Sequence, residues 1–239
     1  MDATTAASEL GTILSVWAHP DDETYLAGGL MAAAAANGQR VVCVSATAGE
    51  LGTDDPATWP PERLGRVRRW EAAAAMAVLG VGDHRFLDLP DGGLAALDPE
   101  PHVARLVALL EEVRPDTVVT FAPDGGTFHP DHQTISRWVS SAWASRGQPT
   151  RLLHAAMSDE QFATWGDLYE EWGVYMSDER PVPVPVADLA IALRLEGAAL
   201  DQKVAALTAM HTQTAPAIAL LGPEDFRAES ATESFVEGR

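Results

Sequence analysis

The stretch Leu14-Ser-Val-Trp-Ala-His-Pro-Asp-Asp-Glu23 decides the fold. Ile13 to Ala18 is an apolar run of the length of a buried parallel strand, and it stops at a proline, three acids and then an Ala-rich segment of helical character. A strand therefore runs into candidate ligands at the head of a helix. His19 and Asp22 stand three apart across that turn, so an imidazole and a carboxylate can converge on one point while Asp21 aims elsewhere. That arrangement suits a metal and a base. A plainer role competes with it: acids at a helix start satisfy free amides and complement the dipole, so Asp21 and Asp22 also read as caps.

Working outward, strand and helix alternate as in a doubly wound sheet. Strands are expected at about 12–18, 40–47, 84–87, 117–121 and 152–157. Helices are expected at about 24–37, closing on Asn37-Gly38, then at 61–79 ending on Gly80, at 101–113, and from His129-Pro-Asp-His132 to about 144. The sequence thus predicts an α/β, Rossmann-like three-layer sandwich with a mostly parallel central sheet. The long loop after the second strand and the His-Pro-Asp-His turn after the 117–121 strand fall at the C-terminal strand edge, where such sheets place ligands. Residues 1–239 read as one domain, with a core over about 12–157. A helix at 159–172, an extended Pro-rich 181–186, a last strand at 187–195 and a helix at 197–211 follow, and the acidic tail after Leu221 is expected to fray.

Composition narrows the partners. With 46% hydrophobic residues in 239, the chain can bury a real core. Sixteen basic against thirty-five acidic residues leave a net charge of −19, which argues against nucleic acid or an anionic membrane and for a small-molecule substrate. Cys43 stands alone in an apolar run and reads as an inert core thiol, and no run nears the roughly 20 apolar residues of a membrane span. A cytoplasmic location is expected, and a homo-oligomer is left open. No glycine-rich phosphate loop is present.

His129 and His132, taken alone, fit the start of a surface helix. Together with His19 and Asp22 at the same sheet edge they supply the His, Asp, His set that leaves a fourth position for water. Imidazoles with one carboxylate favour Zn2+, or Fe2+ or another first-row divalent metal, over magnesium. A magnesium phosphoryl transferase would have no use for two histidines, and a non-catalytic sugar-binding module would not need the complete set.

Ala18-His-Pro-Asp-Asp-Glu23, Thr47-Ala-Gly-Glu50, Arg68-x-x-Glu71, Leu89-Pro-Asp-Gly92 and His129-Pro-Asp-His132 resemble the motifs of the PIG-L/LmbE-like family of zinc-dependent N-acetylglucosaminyl de-N-acetylases. A weaker echo continues at Lys203 and His211-Thr-Gln213. The resemblance implies that His19, Asp22 and His132 hold the metal. It implies that Asp21 is the general base, and that His129 stabilises the oxyanion or acts as acid. Asp131 either holds His129 cationic or caps the helix. Arg68, Asp91 and Glu50 are the implied substrate contacts. The implied reaction removes an acetyl or other N-acyl group from an N-acetylglucosaminyl-type small molecule. The alternative is an amidase of a thiol-glycoside conjugate or a secondary-metabolite amide. Thr127 stands two residues before His129, where actinobacterial thiol-glycoside deacetylases of this family tend to carry tyrosine, so its hydroxyl has a shorter reach. His84, His102 and His154 are expected to be loop or surface residues, and Trp59 lies in the loop near the proposed metal.

Overall fold

The computed structural model describes residues 3–147 and 150–238. Its frame is a seven-stranded sheet in the order β3-β2-β1-β4-β5-β7-β6, made of β1 (Ile13–Trp17), β2 (Val41–Ser45), β3 (Asp83–Phe86), β4 (Thr117–Phe121), β5 (Arg151–Ala155), β6 (Ile191–Arg194) and β7 (Thr232–Glu237). The first five strands pair in parallel, and β7 runs antiparallel to both β5 and β6. Every residue of β1, β2 and β4 is buried, as expected for a sheet covered on both faces. At its centre Trp17 and Phe121 meet edge to face, 4.8 Å between ring centroids.

Helices α1 (Ala3–Ser8), α2 (Asp22–Ala36), α3 (Pro61–Leu79) and α7 (Gly197–Ala209) pack together, and α4 (Pro99–Val113) packs on α5 (Pro130–Arg146). Local chemistry sets several of their ends. Prolines open α3, α4 and α5 at the first turn, where the missing N–H costs nothing. Gly80 closes α3 in the left-handed conformation. No single helix among the described residues is long and apolar enough to cross a membrane.

The C-terminal third departs from expectation. The acidic tail does not fray: after α8 (His211–Leu221) and α9 (Pro223–Glu229) it becomes β7, inserted between β5 and β6. The reason is its alternation, which buries Glu233 and Phe235 on one course of the pleat. Glu233 is tolerated there because Lys203, fully buried on α7, places Nζ 2.8 Å from Oε1. The pair also enters the middle of α2. Gly29 and Leu30 donate their amides to the two Glu233 oxygens at 2.6 and 2.9 Å, and Lys203 donates to the Tyr25 carbonyl, one turn before Gly29, at 2.7 Å. The last sheet-edge strand is shorter than expected, and residues 181–186 pair only through an isolated bridge between Ser158 and Val184. His84 and His154 are not surface residues. They lie in β3 and β5 against Ser45 (2.9 Å) and Ser140 (3.4 Å).

Candidate metal and catalytic centre

β1 and β4 are neighbours at the point where the strand order reverses, the crevice in which open α/β sheets bind ligands. The turn after β1 carries His19, Asp21 and Asp22. The loop after β4 carries Thr127 and His129, and the first turn of α5 that follows carries Asp131 and His132.

Backbone strain shapes the first turn. Asp21 sits at φ 127°, a region sparsely populated by any residue with a Cβ. Its N–H reaches the Glu23 carboxylate at 3.2 and 3.3 Å, and its carbonyl accepts from Thr24 and Tyr25, so the main chain alone caps α2. The side-chain caps weighed for Asp21 and Asp22 are not formed. The Asp21 carboxylate turns instead to Arg68, 3.1 Å from Nη2, and Asp22 Oδ2 accepts the His19 amide at 2.8 Å.

Three donors converge. His132 Nε2 lies 3.2 Å from His19 Nδ1 and 3.3 Å from Asp22 Oδ1, and His19 Nδ1 lies 3.5 Å from Asp22 Oδ2. Ligands held about 2.0–2.1 Å from a tetrahedral zinc stand roughly 3.3 Å apart, so these spacings fit such an ion. The tautomer fits as well. His132 Nδ1 is 3.0 Å from the Gly125 carbonyl and donates to it, which leaves the Nε2 lone pair facing the other donors. Gly125 is required here: at φ +72° a Cβ would fall 2.7 Å from the His132 Cβ. The Thr127 hydroxyl lies 3.3 Å from His132 Nδ1.

The electrostatics match for two of the three donors; at His19 burial lowers the pKa, but Asp131, Asp22 and Asp91 outweigh it and hold the ring well above the ordinary value. Burial pushes the His132 pKa down to about 4, so the ring is a neutral donor. For Asp22 burial works the other way, but His132 and His19 outweigh it and hold the carboxyl well below the usual range. Burial lifts Asp21 to about 6, with Arg68 pulling it part of the way back. Next to them burial raises Glu23 to about 8, with the Asp21 charge adding to it, so its carboxyl is protonated at neutral pH.

His129 is the N-cap of α5, and its Nδ1 accepts the Asp131 amide at 3.1 Å. That leaves Nε2 to carry the proton. Burial and nearby His19 hold its pKa below the ordinary value, so the ring is a neutral donor rather than the cation expected from Asp131. The Asp131 carboxylate neither meets the His129 ring nor caps α5. Fully buried, it accepts the amides of Gly92 (2.8 Å) and Leu94 (3.0 Å) and approaches His19 Nε2 at 3.5 Å.

The expected substrate contacts are also turned inward. Asp91 sets Oδ1 3.1 Å from His19 Nε2 and accepts the Leu51 amide at 2.8 Å through Oδ2, with its side chain only 6% exposed. Glu50 accepts the Asp91 amide at 3.1 Å. Arg68, buried, donates to the Gly49 (2.7 Å) and Pro20 (2.5 Å) carbonyls and thereby ties the loop after β2 to the turn after β1. Trp59 is covered by the Arg63 guanidinium, 4.7 Å from its ring. Glu23 and the Gly125 carbonyl are site components that the sequence reading did not single out; the acid triplet marks a helix start, but not which group each acid serves.

These positions predict what a change at Asp91 does. Carboxylates behind a ligating imidazole fix its orientation and raise its basicity, and losing one typically costs 10–100-fold in metal affinity. Asp91→Asn is expected to weaken metal binding by about that factor. A chelator competition assay reads it. A raised KM with unchanged metal affinity would return Asp91 to the role of a sugar contact.

Residues 14–143 match a family model described as PIG-L, GlcNAc-PI de-N-acetylase. Over 95% of both chains the sequence is 34% identical to a protein of Saccharomonospora viridis named 1D-myo-inositol 2-acetamido-2-deoxy-alpha-D-glucopyranoside deacetylase. A protein of the same name from Streptomyces avermitilis is 44% identical over 77% of this chain and 66% of its own length. The fold matches that of N,N'-diacetylchitobiose deacetylase from Pyrococcus horikoshii, with a TM-score of 0.64 at 19% identity over 100% of this chain and 87% of that one.

Proposed function

The chain belongs to the PIG-L family, and on that premise we propose that it is a zinc-dependent hydrolase that removes the acetyl group from an N-acetylglucosaminyl-type small molecule. The observation that carries the reading is the convergence of His19, Asp22 and His132, with Asp21 next to Asp22 in the same turn and its carboxylate held by Arg68 at 3.1 Å rather than among the donors. Relatives at 34% and 44% identity are named as deacetylases of an acetamido-sugar glycoside of inositol, which supports the substrate class. The net charge of −19 disfavours polyanionic substrates and agrees with a neutral glycoside.

His19, Asp22 and His132 would hold the ion, which supplies Lewis acidity toward the amide carbonyl and the attacking water. Asp21 takes the proton from that water. His129, neutral and protonated on Nε2, donates to the oxygen on which negative charge develops. The Asp91 and Asp131 carboxylates stand 3.1 and 3.5 Å from His19 Nε2, close but not aligned as hydrogen bonds, and would orient the ring from its far side. Arg68 keeps Asp21 in place and stabilises its charged form.

Metal analysis of the purified protein, followed by free-amine release from N-acetylglucosaminyl inositol and simpler N-acetylglucosaminides, tests the reading. About one zinc-like ion per chain and amine release are expected. His132→Ala should lose both together. Stoichiometric metal in a His19→Ala/His132→Ala double variant would sink the ligand assignment, and hydrolysis confined to unrelated amides would sink the sugar.

A further inference from the structure

Three helices among the described residues open on a side chain that caps them. Asp98 opens α4 at φ −61°, ψ 120°, His129 opens α5 at φ −60°, ψ 128°, and Ser158 opens α6 (Asp159–Glu171) at φ −75°, ψ 156°. Each accepts an amide of its own helix, from Glu100 (3.1 Å), Asp131 (3.1 Å) and Gln161 (3.0 Å). Asp21 holds the same position at the head of α2, and aspartate is among the best residues for it. Yet it stands at φ 127°, ψ −39° and makes no such bond.

That difference is what frees its carboxylate. With β1 fixing the chain before Asp21 and α2 fixing it after, the backbone angles decide where the Cβ points, and these angles bring the carboxylate to Arg68. At the angles of the other three caps it would fold back onto the Glu23 and Thr24 amides, satisfying the helix and leaving no free base. The turned conformation is costly for any residue with a Cβ and persists only where the surroundings over-determine it.

Glu23 is the group that opposes the relaxation. Its side chain is fully buried, and its oxygens stand 3.2 and 3.3 Å from the Asp21 nitrogen, with the Thr24 hydroxyl 3.1 Å from Oε1 as a further partner. A carboxyl in that place costs stability that an apolar residue would not, and what it gives in return is a bond to the backbone of Asp21. A capping box normally reaches back from the third helical residue to the N-cap amide. Glu23 is the second, and the amide it meets belongs to a residue already turned. Relaxing to the ordinary angles would carry that amide away from it.

We infer that Glu23 is a positioning residue: by holding the Asp21 N–H it keeps Asp21 from becoming an ordinary helix cap, and so leaves that carboxylate available as the base. The inference rests on the hydrolase reading for the role of Asp21.

Glu23→Met keeps the bulk and loses the acceptor; Glu23→Ala takes its place should the methionine variant not fold. In the metal-loaded full chain acting on methyl N-acetylglucosaminide, kcat is expected to fall by about 10²-fold, the effect of a misplacement near 1 Å, with KM and metal content held. Glu23→Gln, whose amide oxygen still accepts from the Asp21 N–H, should recover most of that loss. Because Glu23 acts through Asp21, the double variant Asp21→Asn/Glu23→Met should be no slower than Asp21→Asn alone. An unchanged kcat in Glu23→Met, no recovery in Glu23→Gln, losses that multiply in the double variant, or metal lost in step with kcat would each overturn the inference. Crystal structures of the two single variants read the backbone directly. Asp21 is expected at negative φ with its carboxylate on an α2 amide in Glu23→Met, and still near 127° in Glu23→Gln. An Asp21 that keeps the turned conformation in Glu23→Met overturns the inference. If the wild type cleaves no amide, the deacetylase reading falls instead, and the Asp21 conformation in those two structures still decides what Glu23 does.

Discussion

Asp21→Asn is expected to lower kcat by about 10²–10⁴-fold with metal content and fold unchanged. The asparagine carbonyl can still accept from Arg68 Nη2, and the strained turn is held by main-chain bonds that the substitution does not touch. What disappears is a group able to take a proton. The pH profile separates this from a loss of shape. Burial places the Asp21 carboxyl at about 6, with Arg68 opposing, and only the ionised form accepts a proton. The wild-type rate should therefore rise as pH climbs through an acid limb at or below about 6, lower still under the pull of a bound cation. Arg68→Met removes a charge that stabilises the carboxylate, so the limb should move upward. In Asp21→Asn the limb should vanish from whatever activity is left. If kcat stays within a few fold of wild type and the limb persists, Asp21 only shapes the turn.

The two motif turns were legible because each follows a short apolar strand and because parallel strands deliver their loops to one edge. That fact brings the two clusters to one place, and the choice of His19, Asp22 and His132 as the ligands came from the family resemblance. The direction in which buried side chains point was not legible. Asp91 precedes Gly92 in a turn and has the chemistry of a sugar contact, yet it faces His19 because that ring has a second nitrogen directed at the 91–94 loop. Arg68 was an implied substrate contact, and its place is set instead by the Pro20 and Gly49 carbonyls, 48 and 19 residues away. Asp131 likewise serves backbone amides nearly forty residues upstream. The 232–237 strand was hidden by its charge. A tail rich in acids reads as solvated unless a buried cation waits for it, and Lys203 lies thirty residues earlier on a different layer.

That pair supports the second large effect. Lys203→Met is expected to destabilise the protein by about 3–5 kcal/mol, because it leaves Glu233 buried at 2% exposure without its cation. For a chain of this size that is a fall in melting temperature on the order of 10 °C. The methionine itself fits an apolar environment, so the cost is the orphaned carboxylate and the Tyr25 carbonyl that loses its donor. Glu233→Leu should be comparably costly for the converse reason, since Lys203 would then be the uncompensated charge. The double variant should cost clearly less than the sum. With both charges gone, neither a carboxylate nor an ammonium is left buried without its partner, so the two losses are not independent. A thermal or denaturant double-mutant cycle measures that coupling. If Lys203→Met costs under about 1 kcal/mol, or the two substitutions simply add, the pair is not what joins β7 and α7 to α2. The link bears on function because α2 carries Asp22 at its head. The single variants should therefore bind the metal less tightly at temperatures below their own unfolding, and the double variant should regain part of that affinity.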